Sequence, residues 1–180
     1  MKKIFCIIAT LFLSIAAYTA SAQDGGLLNI REVVSIDKNG NTVLLLFNYP
    51  QDGQNQYYLS VGHLGIGDEI IQFHIDPAFE LFIKLGTTLD ESVEQLQQMS
   101  DLYKSDPGTS MEATGCLALG VPNDQFETVT VTFRQVLLTK QLEFSIKRDG
   151  YIRATNIERM DFNGMMTSLK LYRKIHPNEQ

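Results

Sequence analysis

The densest collection of reactive side chains in the sequence is Val61-Gly62-His63-Leu64-Gly65-Ile66-Gly67-Asp68-Glu69, followed closely by His74-Ile75-Asp76. Three kinds of chemistry draw on such residues. A phosphate cradle needs glycines in a fixed order, a Lys-Ser/Thr pair or a following helix, and this run has none of these. Its glycines read instead as a bend or bulge between strands. Zinc would find ligand types in His63, His74 and Asp76 with Asp68 or Glu69, and His74 and Asp76 share one face of a strand. Pairing around the bend, however, sets His63 opposite Glu69 and His74 nearer Tyr58. The two imidazoles then lie several residues apart, so no metal is assigned. Hydrolysis would need a nucleophile, and Ser60 lacks the Gly-x-Ser-x-Gly elbow that exposes a serine on a strained turn; no catalytic residue is assigned. Tyr57-Tyr58 offers a stacking surface for a sugar, but consecutive strand residues face opposite ways, so one of the pair belongs to the core. The residues left as ligand contacts are Tyr58, His63, His74 and Asp76, with no cofactor implied.

Most of the elements that would position these residues have a period of two. Leu27 to Ile36 and Thr42 to Phe47 flank an Asn39-Gly40 turn, a strong hairpin signal. Gln56 to His63 and Glu69 to Ile75 read as a second antiparallel pair. Phe79 to Leu85 alternates, with Phe79, Leu81, Ile83 and Leu85 on one side. Further strands are expected at Glu112 to Leu119, Thr128 to Leu138, Gln141 to Lys147, Tyr151 to Phe162 and Met166 to Ile175, with turns at Asp149-Gly150 and Asn163-Gly164. The segment 165–175 also fits a helix, but Leu169, Leu171 and Ile175 share a strand face and Gly164 disfavours a helix, so a hairpin is preferred. One amphipathic helix interrupts the strands near 89–103, with Thr88 and Glu91 forming a capping box. The fold class is therefore α+β and predominantly antiparallel β: about ten meandering strands in a curved sheet, barrel or sandwich, with one helix. Leu81 and Phe133 are assigned inward, and Thr132 outward.

The chain has 180 residues with 44% apolar and 20% charged, enough to bury a core. Its first residues form a secretory leader. Lys2 and Lys3 precede an apolar run from Ile4 to Ala17, and Ala20-Ser21-Ala22 supplies an Ala-x-Ala site, so residues 1–22 are expected to be removed after Ala22. Cys6 sits too early to carry a lipid. No later run approaches the length needed to span a bilayer, so the mature chain is not expected to be membrane-spanning. Residues 23–180 then form a single β-rich domain, exported to the periplasm or beyond. Its lone thiol, Cys116, is expected to be buried filler among Gly115, Leu117 and Ala118.

Charge is unevenly spread. Gln23 to Thr128 carries four basic and sixteen acidic residues, whereas Val129 to Gln180 carries nine basic and five acidic. Pairing between the two portions accounts for most of this without invoking an anionic partner for Arg148, Arg153, Arg159, Lys170, Arg173 and Lys174. The net acidity argues against nucleic acid. The sequence thus points to an exported, non-catalytic binding or structural protein of the bacterial cell envelope, taking an unidentified small molecule or glycan. Two alternatives stand beside it: a small secreted hydrolase using the 58–76 region, and an assembly or accessory subunit that meets a protein partner through an edge strand.

Overall fold

The structure, a computed structural model, describes residues 30–38, 41–62, 81–117, 119, 125–148 and 150–177. The expected leader, the turn expected at Asn39-Gly40 and the strand expected at Glu69 to Ile75 lie outside these residues, as do His63, His74 and Asp76. Eight antiparallel strands form one open sheet, in sequence order. They are β1 (Arg31–Lys38), β2 (Asn41–Asn48), β3 (Tyr57–Val61), β4 (Leu81–Gly86), β5 (Ser110–Cys116), β6 (Glu127–Val136), β7 (Thr139–Arg148) and β8 (Tyr151–Glu158). Between β4 and β5 lie helix α1 (Leu89–Asp101) and a 3-10 turn (Leu102–Lys104), and helix α2 (Arg159–Ile175) follows β8.

Alternation sets the faces. Leu81, Ile83 and Leu85 of β4 are buried while Phe82 and Lys84 are half-buried on the other side. Across β6 and β7 the inward pairs are Val129↔Ile146, Val131↔Phe144 and Phe133↔Leu142. These side chains join Leu44, Leu46, Leu59 and Val61 in one apolar core. Such burial is the main favourable term in holding the sheet to its helices, because each buried Leu, Ile, Val or Phe is worth about 1.5–3 kcal/mol.

Helix α1 presents Leu89, Leu96 and Met99 to that core, continued by Leu102 and Tyr103. Its start is closely specified. Thr88 Oγ1 accepts from the Glu91 amide, and Glu91 Oε2 accepts from the amides of Thr87 (2.7 Å) and Thr88 (3.2 Å). The Thr87 amide, then the Thr88 amide and the Thr87 hydroxyl, hold the Glu91 carboxyl below its ordinary range. Gly86, where β4 hands over to α1, has φ +145, and a Cβ there would come within 2.7 Å of the Glu91 side chain. Glycine is thus required both by the backbone and by the cap.

Three expectations are corrected. The segment Met166 to Ile175 is not a strand; it belongs to α2, with Phe162, Met165, Met166 and Leu169 buried at helical spacing. Gly164 costs a helix about 1 kcal/mol, which burial of that stripe outweighs. The helix dipole is matched as well, by Asp161 in the first turn and Arg173 and Lys174 in the last. Second, the described residues hold eight strands rather than ten, and the sheet is not closed as a barrel. Helix α2 packs chiefly on β1 and so occupies the place where a β8–β1 ladder would close the roll. Lys38 at the end of β1 bridges Glu158 (3.3 Å) and Asp161 (3.6 Å), which fastens that seam. Third, β3 has β2 on one side and β4 on the other, so its ladders are not the local pair expected with Glu69 to Ile75.

Two finer points follow. Thr132 faces away from the core, as assigned, yet it is buried, so an acid there would be costly. The turn between β6 and β7 is Leu137-Leu138, inside the stretch expected to be strand. Cys116 is buried, as the composition around it implies.

Candidate functional site

The sheet separates two regions, and the residues singled out by the sequence divide between them. Tyr57 faces the main core, whereas Tyr58 faces the opposite side of the sheet. There it stacks on Phe47 (ring centroids 5.8 Å apart) and on Phe126 (6.4 Å), with Tyr49 at 6.5 Å. Phe82 meets Phe47 edge-on at 6.1 Å, and Cys116 and Leu119 complete the cluster. Each such ring pair adds about 0.5–1.5 kcal/mol beyond its buried area. Tyr58 is fully buried, so its ring is committed to this cluster. The rim open to solvent is Phe126, over whose ring the Lys84 ammonium sits 5.6 Å from the centroid.

The inward side near the end of β3 is different. Gly62 has φ +98, and a Cβ on it would stand 3.1 Å from both Oγ1 and Cγ2 of Thr155. Strands β3 and β8, far apart in the sheet order, therefore meet across the concave side, and only glycine permits the approach. Thr155 pairs with Phe144 and shares the inward side with Ile157. Its side chain is only 1% exposed, and its hydroxyl has no hydrogen-bond partner among the described residues. An unsatisfied buried hydroxyl costs about 1–3 kcal/mol, and such groups are rare in native proteins unless they serve a bound molecule or ion. Glu127, at the inward-facing start of β6, also has a buried carboxylate oxygen, Oε2, without a partner among the described residues.

Gly62 leads directly into the run that begins at His63. Tyr58, by contrast, lies on the other side of the sheet from Gly62 and Thr155. His63, His74 and Asp76 lie outside the described residues. Thr155 was missed because nothing local distinguishes a core threonine from any other; only the roll of the sheet sets it against Gly62. The exposed Leu137-Leu138 turn was also missed, although two leucines between alternating runs where a turn must fall is a legible signal.

The basic residues of the C-terminal portion are largely engaged. Arg173 pairs with Asp90, tying α2 to α1, and Arg134 pairs with Glu143 at 2.9 Å. The Arg159 guanidinium carbon lies 5.8 Å from the centre of the Tyr103 ring. No group of three or more His, Cys, Asp or Glu residues suited to a metal occurs among the described residues. No described helix is long and apolar enough to cross a membrane. Compared with protein-family models, with curated proteins and with solved structures, the chain matches none.

Proposed function

We propose that this is an exported, non-catalytic binding protein of the bacterial cell envelope, whose concave side takes a small, mostly apolar or glycan-like ligand next to Gly62. What carries the reading is the Thr155 hydroxyl: a buried polar group without a partner among the described residues, set in an apolar lining against Gly62. A ligand oxygen or amide would satisfy it, and the apolar surroundings would supply most of the affinity. The leader at 1–22 supplies the address.

Thr155→Val tests this, since it keeps the shape and removes the hydroxyl. The empty variant gains about 1 kcal/mol in stability, while ligand carried through purification from the native host, read by native mass spectrometry, is lost. A wild-type protein that carries no ligand, or a variant that retains it fully, overturns the reading. Hydrolytic turnover that vanishes in a His63→Ala/His74→Ala double variant would favour the hydrolase instead. The edge-strand alternative draws on Ile152, 72% exposed on the sheet's outermost strand β8. That reading requires a stable oligomer of the purified chain, visible in the same mass spectrum.

A further inference from the structure

The β6–β7 hairpin stands clear of the rest of the sheet. The β5 ladder with β6 ends at Ser110↔Thr132, and the β8 ladder with β7 begins at Gln141↔Glu158. Beyond those points the strands pair only with each other, through Gln135↔Lys140 and Val136↔Thr139. The tip so extended ends in Leu137, 89% exposed, and Leu138, 97% exposed, with Val136 at 55%. Among the described large apolar side chains none is as exposed as these two leucines.

The backbone makes this placement more telling. Two-residue hairpin turns need positive φ, and this protein elsewhere supplies it with suitable residues: Asp52-Gly53 (φ 51 and 78) and Gly150 (φ 81). At the β6–β7 turn the same demand falls on Leu137, at φ 54, where a branched apolar side chain is disfavoured. Leucine is therefore the wrong residue here for folding and for solubility alike, which directs attention to what the tip touches.

Charge selects the occupant. Residues 134–141 contain Arg134 and Lys140 and no acid, and these sit about 7–10 Å behind the leucines at the rise of a strand. Glu143 offsets Arg134 at 2.9 Å and Glu158 faces Lys38, so the net positive charge behind the tip is the Lys140 ammonium, 5.7 Å from the centre of the Phe133 ring. Arg159 and the exposed Met160 follow β8 at the same end of the sheet. A convex tip of three apolar side chains is too small for a stable protein interface, which needs about 800 Å² per partner. A lipid surface deforms around it. The depth also suits, because interfacial segments bury their apolar side about 5–10 Å, to the boundary of headgroups and acyl chains.

We infer that the Leu137-Leu138 tip inserts into the surface of an anionic phospholipid bilayer, with the Lys140 ammonium at the headgroups. This goes beyond the ligand reading and does not depend on it. The chain has no Trp, so Leu138→Trp creates a single reporter. With vesicles of equimolar phosphatidylcholine and phosphatidylglycerol its emission shifts to the blue, and with phosphatidylcholine alone it shifts little. Leu137→Asn/Leu138→Gly installs a favourable hairpin turn, so it melts no lower than the wild type yet binds the anionic vesicles about tenfold more weakly in co-sedimentation. Wild-type protein that ignores anionic vesicles overturns the inference, as does a double variant that binds them equally well. Concentration-dependent self-association abolished by the same double variant, without vesicle binding, would assign the tip to a second copy of the chain instead. Thr155→Val leaves vesicle binding unchanged, which separates the two proposals.

Discussion

Glu91 shows how much one side chain decides at the handover from β4 to α1. Its carboxylate accepts from two amides that would otherwise lack partners at the helix start, which depresses its proton affinity in the folded protein. A group whose folded pKa is lowered contributes stability above its unfolded pKa, and that contribution fades as the pH falls through the folded value. Glu91→Gln should therefore melt below the wild type near neutrality, with the gap closing as the pH falls below the ordinary glutamate range. A gap independent of pH in thermal melts would show that the charge is not what the cap uses. This residue was legible in the sequence, since Thr88 and Glu91 at the right spacing announce their own partnership. Thr155 was not, because its significance comes from Gly62, nearly a hundred positions earlier, and no local pattern encodes that meeting.

At the scale of elements, the strands were read well because burial on one side forces alternation, which β4 and most of β7 keep and β6 keeps as far as Val131. The misreading came where two periods fit the same residues. In a strand Leu169 and Leu171 would share a face; in α2 Leu169 is 1% exposed and Leu171 58%. What decided between them was the presence of β1 as a surface for the stripe from Phe162 to Leu169, a tertiary fact that outweighs Gly164. Leu169→Ala should accordingly cost about 2–4 kcal/mol in denaturant unfolding, whereas Leu171→Ala should change stability by under about 0.5 kcal/mol. Equal losses at both positions would restore the strand.

For the whole molecule, the consequence of burying Cys116 under the Phe47–Tyr58 cluster is that its thiol reports on opening of the sheet. In the native state an aqueous alkylating reagent should label it no faster than the protein unfolds, and the labelling rate should rise with denaturant along the unfolding limb. Rapid stoichiometric labelling of the folded protein would mean that the outer cluster opens on its own. The eight-strand order adds a further consequence. Each rung finds its mate beside it in the sequence, so a chain emerging amino end first from the ribosome zips up progressively, with no ribbon waiting on a distant partner. The exception is the first ribbon, whose cover is α2, the last described element to emerge. The opening rung is therefore the final one to be sheltered, and the interval between those two events is when a holdase has most to protect.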